Sequence, residues 1–281
     1  MPAEEDLSTS QTAEPALQPA PQPAPLPANF VFPPDLLHLW DERMMRNFHL
    51  LNRGYEDEAQ LKQNIETVRW NTCVTYDGLI SLGHQVGYVE RKGLEGAYVE
   101  TGCWMGGSAG MAALVNLQKS DRRRMIHLFD SFQGLPEPSA KDYSQSFADN
   151  FRIAEEDCRG RMEPIDMCVA KQSDVEDCLF RKVGYPQEYV RIHVGWFRDT
   201  IPAIAPQIGP IAILRLDGDF YESTWVALEG LYPHVVPGGL VVIDDWCLSG
   251  CRRAVQDYFA KIGIDPYVHF ADGCVRYFFK P

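Results

Sequence analysis

Asp217, Asp244 and Asp245 are the residues of this chain best suited to do chemistry together. Residues 211–219 read Ile-Ala-Ile-Leu-Arg-Leu-Asp-Gly-Asp, and residues 239–245 read Gly-Leu-Val-Val-Ile-Asp-Asp. Both are apolar runs that stop on carboxylates. Strands buried on both faces read as such runs, and ligands of open α/β sheets collect beyond the strands' carboxyl ends. Two such strands side by side would gather three acidic oxygen donors at one sheet edge. Carboxylates that close repel one another unless a cation or proton lies between them. A hard divalent ion, Mg²⁺ or equally Mn²⁺, suits an all-oxygen donor set. Asp219 is the alternative first ligand.

Alternating elements must position these acids. From residue 96 onward, strands are predicted at 96–101, 125–130, 189–194, 211–217 and 239–244, with a final pair near 266–271 and 274–280. Helices are predicted at 107–118, 172–183, 199–205, 222–231 and 249–262. This alternation implies a mostly parallel sheet in an α/β fold. Ahead of it, residues 30–95 turn helical and read as a cap of three or four helices. Residues 1–29 alternate Pro, Ala and Gln and read as a disordered or polyproline-II tail. Within the 96–281 domain, the polar stretch at about 133–167 has little periodicity and reads as a lid, with Tyr143, Phe147 and Phe151 shaping a pocket.

Composition narrows the partners. A hydrophobic fraction of 45% over 281 residues suffices for one full α/β core and an appendage. The net charge of −13 argues against nucleic acid or an anionic membrane as a partner. The first residues show no signal-peptide pattern, and no apolar run is long enough to span a bilayer, so a cytoplasmic protein is expected. The eight cysteines (73, 103, 158, 168, 178, 247, 251 and 274) are scattered. Cys247 and Cys251 have no second pair at zinc-finger spacing, which fits free thiols in a reducing compartment.

The first predicted strand runs into Glu100-Thr-Gly-Cys-Trp-Met-Gly-Gly-Ser108. A glycine-rich turn between strand and helix lets backbone approach a ligand closely. The spacing is not that of dinucleotide enzymes, and an acid at the start of the turn would repel a pyrophosphate. It suits the ammonium of an amino-acid-like cofactor. Asp130 ends the second strand, where an acid accepts hydrogen bonds from ribose hydroxyls. Together these features favour S-adenosylmethionine over NAD. A nicotinamide-dependent oxidoreductase would share the fold but lacks its phosphate-cradling turn here.

The chain resembles the macrocin O-methyltransferase (TylF) family of class I methyltransferases. The matching stretches are Val-Glu-Thr-Gly-Cys-Trp-Met-Gly-Gly (99–107), Phe-Asp-Ser-Phe-Gln-Gly-Leu-Pro (129–136) and Gly-Trp-Phe-Arg-Asp-Thr-Ile-Pro (195–202). They continue through Leu-Arg-Leu-Asp-Gly-Asp-Phe-Tyr-Glu-Ser-Thr (214–224), Pro-Gly-Gly-Leu-Val-Val-Ile-Asp-Asp-Trp (237–246) and Cys-Arg-Arg-Ala-Val-Gln-Asp-Tyr (251–258). The resemblance implies a Rossmann-like sheet of seven strands, mostly parallel with the last antiparallel, behind a helical N-terminal cap. It also implies Mg²⁺-dependent methylation of a hydroxyl, on a sugar of a secondary metabolite. By the same resemblance Glu100, Gly102, Gly106 and Ser108 hold the methionine part of S-adenosylmethionine, and Thr75 reaches its carboxylate. Asp130 binds the ribose with Ser131 and Phe132 beside it, and Trp196 lies by the adenine. Asp217, Asp244 and Asp245 become the metal ligands, and Asp217 doubles as the base.

A sugar hydroxyl is a poor nucleophile at neutral pH, so the metal must acidify it before a carboxylate can take its proton. The acceptor is expected to be a small hydroxylated molecule, with a phenol or polyketide hydroxyl as the alternative to a sugar. Apolar surface on the cap and lid makes a homodimer the expected assembly. The seven histidines are dispersed, and His127 and His193, inside predicted strands, read as packing or surface residues.

Overall fold

A computed structural model of the chain describes residues 57–144 and 154–281. The Pro-rich tail at 1–29, the first part of the predicted cap, Phe147 and Phe151 lie outside the described residues. Seven strands form one sheet: β1 (Ala97–Thr101), β2 (Ile126–Asp130), β3 (Val190–Val194), β4 (Ile211–Leu216), β5 (Val235–Ile243), β6 (His269–Phe270) and β7 (Arg276–Phe279). Their order is β3-β2-β1-β4-β5-β7-β6. Neighbours from β3 to β5 pair in parallel, and β7 runs antiparallel to both β5 and β6.

Helices cover both faces. They are α1 (Glu58–Val68), α2 (Tyr76–Arg91), α3 (Gly107–Lys119), α4 (Gln172–Glu176), α5 (Phe197–Ile208), α6 (Tyr221–Leu231) and α7 (Ser249–Ile262). Successive strand residues point to opposite faces, so β4 sends Ile213 to one core and Leu214 to the other. The first core joins Leu61, Leu79, Val86, Met111 and Val115 to Tyr98, Leu128 and Val242. The second joins Ile201, Leu228, Leu231, Val255 and Tyr258 to Val99, Phe129 and Val241. Helices α1 and α2, read from the sequence as part of a cap, bury their apolar sides with α3 in the first core. They are a layer of the sandwich, and the Thr72–Thr75 connection between them reaches the sheet's carboxyl edge.

The strand ends interlock. Gly102 N–H donates to Phe129 C=O at 2.8 Å, Asp217 N–H to Thr101 C=O at 2.9 Å, and Asp244 N–H to Leu216 C=O at 2.8 Å. Parallel pairing therefore continues one residue past each strand, and it delivers Asp217 and Asp244 side by side. The strand order reverses between β1 and β4, the place where such sheets open a crevice.

Among its described residues, the 133–167 stretch carries one 3₁₀ turn, at Glu155–Asp157, and two isolated bridges, Pro136 to Pro164 and Ser139 to Arg159. Its base packs as a small cluster of Leu135, Cys158, Tyr143, Ile165 and Met167 on Phe220. Cys247 does not stand near a zinc partner but forms a disulfide with Cys274. The two are 27 residues apart in sequence. Antiparallel pairing of β5 with β7 brings the loop after β5 against the β6–β7 turn. The remaining cysteines are free. Among the described residues no helix is long and apolar enough to cross a membrane.

Candidate active site

A cavity of about 500 Å³ opens over the carboxyl ends of β1, β2, β4 and β5. Thr75, Gly102, Ser108, Asp130, Ser131, Trp196, Asp217, Asp244 and Asp245 all line it. Glu100, Gly106 and Phe132 do not. Gly106 starts α3 in a left-handed conformation (φ +82°), with Val175 where a side chain would stand. Phe132 packs against the first core and donates its N–H to Asp130 Oδ1 at 2.8 Å.

Glu100 is wholly buried, beneath the cavity rather than in it. Its carboxylate accepts from Tyr98 Oη at 3.0 Å, from Ser108 Oγ, and from Arg215 Nη1 at 2.8 Å. The cation paired with it here is an internal guanidinium. Arg215 sits on β4 directly beside Glu100 in the β1–β4 register. It reaches on to Asp217 through Nη1 and to Asp244 through Nη2. A period of two along β4 puts Arg215 and Asp217 on the same face. That arithmetic was available in Leu-Arg-Leu-Asp, and the apolar reading of the strand passed over it.

Asp217, Asp244 and Asp245 each offer a carboxylate oxygen, all within 4.8 Å of one another. Adjacent oxygens around an octahedral Mg²⁺ stand about 3 Å apart and opposite ones about 4.2 Å, so the three carboxylates would have to draw together to share one ion. Burial pushes the Asp245 carboxyl well above its ordinary range, and the charges of Asp219, Asp217 and Asp244 add to this. Burial likewise raises Asp244, with Arg215 opposing. Asp219, at φ +59°, donates its N–H to Asp245 Oδ2 at 2.9 Å and so orients that carboxylate. Its own carboxyl is raised to about 7 by burial, then by Asp217 and Asp142. Three acids gathered in a partly dry pocket are a donor set that fits a divalent cation.

On the other side of Gly102, Asp130 accepts from Trp104 N–H at 2.9 Å through Oδ2 and from Phe132 N–H through Oδ1. Burial raises its carboxyl despite these donors. Gly102 adopts φ +84°, and a Cβ there would lie 1.6 Å from the Asp217 carbonyl oxygen. Only glycine permits β1 and β4 to approach this closely. Thr75 caps α2, accepting from Gly78 N–H at 3.0 Å, and its hydroxyl donates to Asp272. Ser131 donates to Gly134 C=O, and Trp196 stands at the start of α5.

Residues the sequence reading missed complete the walls. Asp142 is buried, and its carboxylate accepts from Tyr221 N–H at 2.6 Å and from Ser139 N–H at 2.8 Å. Ser249 Oγ donates to its carbonyl. Asp272 holds the β6–β7 turn through Cys274 and Val275 N–H. Neither had a sequence signal beyond being an acid in a polar stretch. His127 and His193 contact each other at 3.1 Å across β2 and β3, and neither lines the cavity.

Comparison with known proteins agrees with this geometry. The sequence profile of the macrocin-O-methyltransferase (TylF) family matches residues 71–280. The chain is 36% identical over 203 residues to the 8-demethyl-8-(2,3-dimethoxy-alpha-L-rhamnosyl)-tetracenomycin-C 4'-O-methyltransferase of Streptomyces olivaceus, spanning 72% of this chain and 73% of that one. It is 34% identical over 209 residues to the mycinamicin III 3''-O-methyltransferase of Micromonospora griseorubida, spanning 74% and 78%. Among solved structures, the O-methyltransferase NovP superposes with a TM-score of 0.63 at 31% identity, over 75% of this chain and 82% of that one. The calicheamicin methyltransferase CalS11, at 19% identity and a TM-score of 0.55, shares the fold. With the match running from the Thr72–Thr75 connection to the last strand, and so through every wall of the cavity, the chain belongs to the macrocin O-methyltransferase family and is an O-methyltransferase.

Proposed function

We propose that this enzyme transfers the methyl group of S-adenosylmethionine to a sugar hydroxyl of a secondary metabolite, and that it needs Mg²⁺ or Mn²⁺ to do so. The observation that carries the reading is the convergence of Asp217, Asp244 and Asp245 in one cavity with Asp130. Asp130, at the second strand's end, would accept the ribose hydroxyls, and Trp196 would lie along the adenine. Gly102 would let the methionine part pass close over the β1 turn. Asp217, Asp244 and Asp245 would hold the ion. A divalent ion bound there would lower the pKa of a hydroxyl beside it. Asp217 would then accept the proton, a task within reach of a carboxylate only for an acidified hydroxyl. Trp104, Leu135 and Phe220, also in the cavity wall, would keep water from the reacting centre. The sugar assignment draws on the rhamnosyl acceptor in the name of the Streptomyces olivaceus relative.

Calorimetric titration of S-adenosylmethionine and S-adenosylhomocysteine, with Mg²⁺ and then with EDTA, tests the cofactor. Homocysteine release with glycosylated polyketide acceptors tests the transfer. Activity that survives EDTA would end the metal reading. Near-normal turnover by Asp217→Asn would remove Asp217 as the base, and turnover of phenols alone would move the acceptor away from sugars.

A further inference from the structure

Arg215 is a full charge inside the central strand, 1% exposed, and no step of the proposed reaction uses it. A buried guanidinium is costly unless every donor finds an acceptor. Here its two terminal nitrogens divide the work across three strands. Nη1 bonds Glu100 on β1 and Asp217 beyond β4, and Nη2 bonds Asp244 beyond β5. One planar group therefore spans two of the three acids of the cluster. It engages Oδ2 of Asp217 and Oδ1 of Asp244, one oxygen of each. Behind it, Glu100 is braced by Tyr98 and Ser108. Glu100 so restrains the guanidinium from the side away from the cavity.

We propose that Arg215 is a positioning residue of the metal centre, a rigid fork that sets the spacing and orientation of Asp217 and Asp244 for the ion. The inference rests on the metal-dependent reading above. It differs from simple charge neutralisation in what it forecasts. A cation this close to a metal site repels the ion, so charge alone predicts that removing it tightens binding. A positioning role predicts the reverse. Lysine separates the two as well, since an ammonium keeps the charge but lacks the planar fork that reaches both carboxylates in fixed geometry.

The test measures Mn²⁺ affinity by electron paramagnetic resonance for the wild-type enzyme, Arg215→Lys and Arg215→Gln, with S-adenosylhomocysteine affinity measured alongside. The expected result is at least a tenfold loss of Mn²⁺ affinity in both variants, with S-adenosylhomocysteine affinity within about threefold of wild type. Wild-type Mn²⁺ affinity in Arg215→Lys, or tighter binding in Arg215→Gln, would overturn the inference. An equal loss of both affinities would reduce Arg215 to general structural support and overturn it too. If wild-type enzyme fails to bind Mn²⁺, the metal-dependent reading itself falls, an outcome distinct from these. Should neither variant fold, a crystal structure of the wild-type enzyme with Mn²⁺ decides. Arg215 still bonded to both Asp217 and Asp244 beside the ion supports the role. A guanidinium displaced by the ion shows a mere placeholder and overturns it.

Discussion

Replacing Gly102 by alanine should disable the site through the backbone of Asp217. The new Cβ would stand 1.6 Å from the Asp217 carbonyl oxygen, whereas ordinary contact begins at 3.4 Å. The two strand ends must then separate by about 1.8 Å, the difference of those distances. Nothing flexible can absorb this. The obstructing atom is backbone, and the Asp217 N–H is tied to Thr101 while the Gly102 N–H is tied to Phe129. Alanine at φ +84° also carries a left-handed penalty of about 1–2 kcal/mol, and overpacking adds about 1–3 kcal/mol. A total of about 2–5 kcal/mol leaves a typical domain folded at low temperature. Activity should suffer more, because a misplacement of about 1 Å at reacting groups costs on the order of 100-fold. Gly184→Ala is the control, since Gly184 has φ +75° with nothing within 4 Å of its Cβ position. It should lose about 1 kcal/mol and keep full turnover. Denaturant melts and homocysteine release measure both quantities. If Gly102→Ala keeps kcat/KM within threefold of wild type, the apposition of β1 and β4 described above is wrong.

Three further outcomes follow from particular contacts. Thiol titration of the unreduced, denatured enzyme should find six reactive thiols, because Cys247 and Cys274 are paired and the other cysteines are free; a count of eight would refute the pairing. Metal-free enzyme should lose stability as pH rises. The Asp219 carboxyl sits at about 7 in the fold against 3.8 ordinarily. The stability from its bound proton is therefore complete below about pH 4 and lost as pH rises through 7. Melting temperatures in EDTA across this window should fall, and Asp219→Asn should flatten the slope. Gly250→Ala would put a Cβ 1.8 Å from Asp142 Oδ1, the oxygen that accepts from Tyr221 N–H. Forcing that carboxylate off should cost about 1–3 kcal/mol in denaturant melts, and an unchanged stability would refute the close packing of Gly250 on Asp142.

Strand runs such as 211–216 and 239–243 were legible because burial on both faces leaves a continuous apolar signature. The acids that follow them were legible because a buried strand seldom ends on carboxylates without cause. Interactions between distant segments were not. The Cys247–Cys274 pairing depends on β7 inserting between β5 and β6, an order no local pattern encodes. The Glu100–Arg215 pair was equally hidden, since its members are 115 positions apart and meet only through the β1–β4 register. Helices α1 and α2 read as a cap for the same reason. Their apolar periodicity announces a buried side but not the surface that buries it.

One charge balance underlies both the pH and the metal expectations. The cavity and its floor hold Glu100, Asp130, Glu137, Asp142, Asp217, Asp219, Glu222, Asp244, Asp245 and Asp272. Among the described residues, Arg215 is the only fully buried cation. With Arg215 beneath and Arg198 in the wall as the cations beside them, these ten carboxyls outnumber the positive charges by eight. Burial accordingly raises Glu100, Asp130, Asp219, Asp244 and Asp245 above their ordinary values. Carboxyls raised in this way hold protons more readily in the metal-free protein, and a divalent ion would displace such protons. Metal binding near neutral pH should therefore release protons and strengthen with rising pH, through the same interval in which the metal-free fold weakens. Calorimetry of Mg²⁺ binding in two buffers of different ionisation enthalpy counts those protons directly. A count of zero would mean that the acids are already ionised, and the raised carboxyls would lose their place in the account.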